Sequence, residues 1–337
     1  MPPRPPHDRR HPRPLRAPEN AGRLGQRRCR FANVELLHEG DTFKLAFAGR
    51  PATRPINPKL RETELRQAWM SENGIDVQVC GGWLDSFGYE LPADEGAAWS
   101  RFLNEHLVQA APDAPFLAPL GSVPLQDGEL AAAVLDEALD AGLKGVMIGT
   151  QPHGDSGVLD DPTLDAFWER ASVRGAIVYI HPMFGCGDPR LADFGMINAV
   201  GRGLDTTTAV ARLLFSGHFL KYPDMRVILS HGGGALPFLL GRLQHNAEIH
   251  PGQYADPGEG LKRLYFDSVL FDPQALSFLV AQVGARRVMM GSDYPFPIGD
   301  LCPCRVVEQA SLTKVDTQDI LGDNAAELFE LETGSTC

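Results

Sequence analysis

From Ile75 onward the hydrophobic pattern alternates between two periods. Short aliphatic and β-branched runs at 75–80, 116–123, 144–150, 176–180, 227–230, 264–267 and 288–291 predict strands. Between them, apolar residues recur every three or four positions, which predicts helices over 93–110, 127–141, 162–174, 205 to about 221, 236–250, 273–283 and 317–331. Gly142 ends one of these helices, Gly175 separates another from its strand, and Asp205 is the expected N-cap of the fourth, with Thr206–Thr208 in its first turn. Strands alternating with helices mean right-handed βαβ units and a parallel sheet. Upstream, Leu60, Leu65, Trp69 and Met70 give helical spacing over 57–73, with Gly74 at its C-cap, and Glu-Gly-Asp between two alternating segments predicts a hairpin over 33–47. The strands from Ile75 number seven. A closed eight-stranded barrel needs one more, and its place is before Asn33.

Composition narrows the picture. The 337 residues are 43% hydrophobic, a size common for one α/β barrel. A net charge of −12 argues against a nucleic-acid footprint and reads as solubility. No apolar run approaches the ~20 residues of a membrane span. The six cysteines form no CxxC pair, so a reduced, cytoplasmic setting is expected. Cys302 and Cys304 flank Pro303 and read as buried or loop thiols before a soft-metal site. Residues 1–30 stand apart, with nine arginines, seven prolines and almost no apolar periodicity. They lack the apolar core of a secretory signal and are expected to be disordered. The division is then 1–30 as an anomalous tail, 31–50 as a hairpin insertion, and 51–337 as the barrel. Residues 184–204 form a long Gly-rich stretch expected to be a loop acting as lid or wall.

Three strands end in side chains that can bind metal or move protons. AIVYIHP ends in His181, RVILSHGGG in His231, and RVMMGSDYPFP in Asp293. Pro295 and Pro297 force the last to turn. In a parallel barrel all three tips face the same end, where active sites lie. Each has a plain reading: a structural histidine, a glycine-rich turn, a capping aspartate. Their shared position favours chemistry. Imidazole nitrogen and carboxylate oxygen suit Zn²⁺, which takes three or four such ligands.

The elements IHP at 180–182, TTTAVARLLFSGHFLKYPDMRVILSHGGGALPFLLGRL at 206–243 and MGSDYPFP at 290–297 resemble the amidohydrolase superfamily. The likeness is to its branch of aminocarboxymuconate semialdehyde decarboxylase and related metal-dependent decarboxylases. It covers roughly residues 57–331. It implies a (β/α)₈ TIM barrel of the amidohydrolase type, here with a small N-terminal hairpin insertion, and one divalent metal, usually zinc. Carried over, His181 and Asp293 are metal ligands, and His231 orients and activates the metal-bound water. Arg242 matches an arginine that reaches a neighbouring subunit's site, which implies a homodimer. Arg66 lies near a family arginine, and Phe296 lines the pocket. His153, at a strand end, is a candidate for substrate contact, and Trp83 for stacking on a planar ring.

One departure is large. The family's first strand ends in His-x-His, both metal ligands, and this chain has no His-x-His. That strand is missing or degenerate. His7 and His11 have helical i,i+4 spacing as replacement ligands, but Pro12 and Pro14 oppose a helix there. Residues 1–30 read as a wrong-start or wrong-frame translation of a GC-rich gene, or as a natural tail of a degenerate member. The expected activity is non-oxidative decarboxylation of an aromatic or unsaturated carboxylic acid. Alternatives are metal-dependent hydrolysis of an amide or lactone, and a metal-poor pseudoenzyme or scaffold.

Overall fold

The computed structural model describes residues 31–183 and 187–331. It opens with the antiparallel hairpin of β1 (Val34–Glu39) and β2 (Thr42–Phe47). Gly40 takes a left-handed φ of 56° at the turn, which a residue without Cβ adopts at no steric cost. Val34, Leu45 and Phe47 pack with Phe31 on Trp99 and Phe102 as a small separate core. Where the spacing predicts one helix over 57–73, there are two, α1 (Pro58–Arg61) and α2 (Thr63–Glu72). Glu62 between them is extended (φ −101°, ψ 98°). Trp69 of α2 stacks on Tyr294 with ring centroids 4.2 Å apart, so tertiary packing accompanies the break.

The seven strands then follow in order. β3 (Gln78–Cys80) pairs in parallel with β4 (Leu117–Pro119). β5 (Gly145–Gly149), β6 (Ile177–His181), β7 (Arg226–Leu229), β8 (Leu264–Asp267) and β9 (Val288–Met289) form one parallel sheet in chain order. Gly121 joins the two sheets: its N–H donates to the Gly145 carbonyl and its carbonyl accepts from Met147 N. The helices lie between and behind: α3 (Ala93–Ala110), α4 (Gly128–Asp140), α5 (Asp165–Val173), α6 (Arg202–Phe215), α7 (His218–Lys221), α8 (Leu236–Glu248), α9 (Pro257–Leu261) and α10 (Pro273–Val283). Asp127, Asp256 and Asp272 cap α4, α9 and α10 by accepting first-turn N–H groups, each cap contributing about 1 kcal/mol. The C-terminal region is α11 (Cys304–Glu308), α12 (Lys314–Gln318), a π turn at Asp319–Asp323, and α13 (Asn324–Phe329), in place of the single helix predicted over 317–331. No helix among the described residues is long and apolar enough to cross a membrane.

Strand alternation sets the two faces. Val146, Ile148, Val178, Ile180, Val227 and Leu229 are buried under the helices with Leu135, Phe167, Val210 and Leu276. Each such side chain contributes about 1.5–3 kcal/mol by leaving water. Met147, Tyr179 and Ile228 share one register layer on the opposite, inward face and line the interior.

Among the described residues the arc does not close. β9 and β3 do not pair with each other, and a cavity of about 790 Å³ opens between them, with Val79 and Cys80 on one side and Met289 and Met290 on the other. Gln78 Nε2, which donates to Ser292 Oγ at 3.4 Å, and the Trp69–Tyr294 stack span the seam. This is where an eighth strand belongs in a (β/α)₈ barrel. The anomalous residues 1–30 lie outside the described residues.

Two expectations need correction. The stretch 184–204 is not all loop: 189–191 make a 3₁₀ turn, 197–201 a π turn, and α6 already begins at Arg202. Asp205 is therefore inside α6 and not its N-cap. Its buried carboxylate instead accepts from Thr150 Oγ1 and from Met183 N at 2.9 Å, tying α6 to the segments after β5 and β6.

Candidate metal centre

Each of the three strand ends delivers its side chain to one point. His181 is the last residue of β6 and is buried. Its Nδ1 lies 3.0 Å from the Pro182 carbonyl, which can only accept, so in the neutral ring Nδ1 carries the proton. That leaves the Nε2 lone pair for a ligand, 3.7 Å from Asp293 Oδ1. His231 follows β7, with Nε2 3.8 Å from Asp293 Oδ2 and its ring centroid 4.9 Å from that of His181 at 75°. Asp293 follows β9 through Gly291 and Ser292. One donor atom from each of the three lies within 4.8 Å of the others.

The backbone is bent to achieve this. His231 and Asp293 hold left-handed φ values of 54° and 52°, uncommon for residues with a Cβ. Such conformations cost about 1 kcal/mol or more each and persist only where the surroundings enforce them. Gly234 shows one constraint: a Cβ there would lie 2.3 Å from the Gly203 carbonyl oxygen of α6. Asp267, at the end of β8, supplies another. Its Oδ1 accepts from Gly232 N at 3.0 Å and Val269 N at 3.1 Å, and its Oδ2 accepts from Tyr179 OH at 2.8 Å. The residue next to His231 is thus pinned by a buried carboxylate.

Protonation states suit a cation. Burial opposes the charge of Asp293, but His181 and then His231 outweigh it and hold the carboxyl well below the usual range. Burial pushes the His181 imidazole below its ordinary value against the pull of Asp293, with His231 and Arg202 acting in the same direction as burial. A neutral imidazole beside an ionised carboxylate is the state a divalent ion requires. Metal–ligand bonds of about 2.0–2.2 Å put neighbouring donors roughly 3–3.5 Å apart. The two histidine–aspartate spacings, 3.7 and 3.8 Å, are a few tenths of an ångström wider, and all three donors lie within 4.8 Å of one another. The N, N, O donor set therefore fits a divalent cation.

The other predicted positions divide. Arg66, Trp83 and Phe296 line the same cavity as the triad. Arg66 Nη1 donates to Gln78 Oε1 at 2.6 Å, and its guanidinium lies 4.9 Å from the Tyr294 ring centroid. His153 is exposed and outside the cavity lining. Arg242 is exposed on α8, also outside it. His7 and His11 lie outside the described residues.

Sequence reading overlooked several residues. Tyr179 stands two positions before His181 on the same strand, so period-two alternation places both inward and could have marked it. Asp267 has the same strand-end signal as Asp293. Arg54 and Arg202 line the cavity but carry no sequence signal, since neither lies on a predicted strand. Arg54 is paired with Asp85 through two 3.0 Å contacts and sits 5.9 Å from the Trp83 ring centroid.

Comparison with known proteins agrees with this geometry. Residues 91–331 match the amidohydrolase family. The chain is 32% identical over 288 residues to the 2-amino-3-carboxymuconate-6-semialdehyde decarboxylase of Dictyostelium discoideum, covering 83% of this chain and 79% of that one. It is 29% identical to the gamma-resorcylate decarboxylase of a Polaromonas species, over 81% of this chain and 90% of the other. The crystal structure of 5-carboxyvanillate decarboxylase from Sphingomonas paucimobilis superposes with a TM-score of 0.72 at 27% identity, covering 80% and 83% of the two chains. Parallel strands ending in a His-His-Asp cluster, the family match and these relatives together mean that the chain belongs to the amidohydrolase family, in its aminocarboxymuconate semialdehyde decarboxylase-like branch of metal-dependent carboxy-lyases.

Proposed function

We propose that the protein is a zinc-dependent, non-oxidative decarboxylase of an aromatic or unsaturated carboxylic acid. The observation that carries this reading is the convergence of His181, His231 and Asp293 at one rim of a large cavity with arginines in its wall. His181 Nε2 and Asp293 would hold the ion, which when bound supplies Lewis-acid polarisation of the substrate. His231 exchanges a proton with the reacting group. Asp293, ionised at rest, takes that proton and hands it to the carbon bearing the carboxylate. The carbon–carbon bond then breaks, CO₂ leaves, and the bonding pair it leaves behind restores the conjugated system. Arg66 holds substrate charge from the β3 side. Trp83 and Phe296 offer flat apolar surface to a ring.

A panel of aromatic acids, amides and lactones tests the reading, with purified protein and added zinc or manganese. CO₂ release from an acid is expected. Ammonia release or lactone opening without CO₂ would replace the decarboxylase by a hydrolase. A second reading, a metal-poor protein, has a specific observation behind it: the open seam leaves three protein donors among the described residues. Metal content well below one equivalent after zinc addition, with no turnover, would favour it.

A homodimer belongs to the same proposal. Only Leu236 and Pro237 of α8 are buried, while Phe238 is 79% exposed and lies beside the exposed Phe278. An apolar face of this kind fits a second copy, which would carry Arg242 to the neighbouring site. Light scattering that returns a monomer would refute it. Cytoplasmic residence fits the unbridged thiols of Cys80, Cys302 and Cys304.

A further inference from the structure

Downstream of Asp293 the chain carries Cys302-Pro303-Cys304, two thiols separated by a residue whose ring fixes its φ. The turn is well anchored. Asp300 Oδ1 accepts from Cys302 N at 2.9 Å, and the Cys302 carbonyl accepts from Arg305 N at 3.0 Å. Cys304 Sγ lies 3.6 Å from the thioether sulfur of Met290, just past β9, and 3.5 Å from the Asn73 carbonyl, just past α2. Cys302 and Cys304 are unbridged, the first exposed and the second half-buried. Met290 and Pro303 both line the cavity, so solvent has a path to the thioether.

A buried Cys–Met contact alone is ordinary apolar packing. The spacing and the surroundings add to it here. A sulfur–metal bond of about 2.3 Å puts two sulfurs on one ion roughly 3.7–4.0 Å apart, and the observed 3.6 Å differs from this by a small side-chain adjustment. Burial pushes the Cys304 thiol up, and Glu308, Asp300 and Cys302 act in the same direction. Carboxylates that oppose a bare thiolate favour a cation held against it. We propose that Cys302, Cys304 and Met290 form a binding site for a soft monovalent metal ion of the Cu(I) class. Cys304 and Met290 are the pre-set pair, and Cys302 turns in from the surface as the third ligand. Thiolate and thioether donors select Cu(I) over hard divalent ions. Binding involves no change of oxidation state: each thiol gives its proton to solvent as its sulfur–metal bond forms, and the thioether donates a lone pair. The ion ties the end of β9, three residues before Asp293, to the start of α11. None of His181, His231 and Asp293 takes part, so the site does not depend on the decarboxylase reading.

The test titrates full-length protein, its triad loaded with Mn²⁺, with Cu(I) under anaerobic ascorbate, with bicinchoninate as the competing chelator. Mn²⁺ suits oxygen ligands and leaves the thiols free. One equivalent of Cu(I) is expected to resist the chelator and to raise the unfolding midpoint, because only the folded chain brings Met290 to the turn. Cys304→Ser should weaken binding about 100-fold or more, and Cys302→Ser and Met290→Leu about 10-fold or more each. Cys80→Ser, whose thiol lines the cavity away from the cluster, should change nothing. X-ray absorption at the copper edge should show sulfur neighbours only, one fewer in Met290→Leu than in the native chain. Failure of the native protein to hold Cu(I) against the chelator would overturn the proposal. So would binding that survives both Cys302→Ser and Met290→Leu, or a loss as large in Cys80→Ser as in the cluster variants. Cys302→Ser is a surface change and Met290→Leu keeps the side-chain volume, so these two decide if Cys304→Ser does not fold.

Discussion

Replacing Asp267 tests how the centre is held. The carboxylate accepts three hydrogen bonds, from Gly232 N, Val269 N and Tyr179 OH, inside the barrel. Asp267→Ala leaves two buried backbone N–H groups and the half-buried Tyr179 hydroxyl without their acceptor. Each unsatisfied donor costs roughly 1–3 kcal/mol, so a loss of about 3–9 kcal/mol is expected, against a total stability of about 5–15 kcal/mol. Asp267→Asn keeps the shape and can still accept both backbone N–H groups, so it should lose only about 1–2 kcal/mol. Tyr179→Phe should lose about 1 kcal/mol. Because Tyr179 and Asp267 share one bond, the double variant should fall short of the sum by about 1 kcal/mol. Urea denaturation followed by far-ultraviolet circular dichroism measures all four. Gly232 adjoins His231, so Asp267→Asn should also weaken metal binding about 10- to 100-fold, as the loss of a group supporting a ligand does. A loss below about 1 kcal/mol in Asp267→Ala, or strict additivity in the double variant, would show that this carboxylate does not brace the site.

Further outcomes follow from the same geometry. His181→Ala and Asp293→Ala should each remove bound zinc, from about one equivalent to near none, by elemental analysis of folded protein. Chelation should lower the unfolding midpoint of the native chain and leave these variants unmoved, because only the folded state assembles the site. Since burial holds the His181 imidazole below its ordinary value, the unfolded chain binds a proton there that the folded chain resists. Metal-free stability should therefore fall as pH drops through about 6.5, and His181→Gln should flatten that slope in urea titrations. Asp293, held low, keeps its contribution across this window and loses it only below about pH 4. Gly234→Ala should cost about 2–4 kcal/mol, since its φ is 63° and the added methyl meets the Gly203 carbonyl; thermal melts that match the native chain would contradict this.

Much of the architecture is written locally. The aliphatic runs ending at His181, His231 and Asp293 are strands because their side chains suit a pleated, buried surface, and their order alone dictates a parallel arc. The helices over 93–110 and 273–283 have the predicted limits; in the second, periodicity, the Asp272 cap and Gly284 agree. Asp205 looks like a cap because an aspartate stands before an apolar run, yet it lies inside the helix. Only the preceding π turn and the partners Thr150 and Met183 explain it. Glu62 has no breaker at all, and the end of the helix there goes with the packing of Trp69 on Tyr294.

The sequence by itself determined the strand ends, and with them the residues able to form a metal centre, because backbone period and residue chemistry are properties of single segments. Tertiary structure alone decided that three donors come within 4.8 Å of one another, that Tyr179 and Asp267 are bonded beside them, that Arg202 shares their cavity, and that among the described residues the arc stays open between β9 and β3. Those facts depend on how distant segments are oriented in space, and no local pattern of apolar and polar positions encodes an angle between strands.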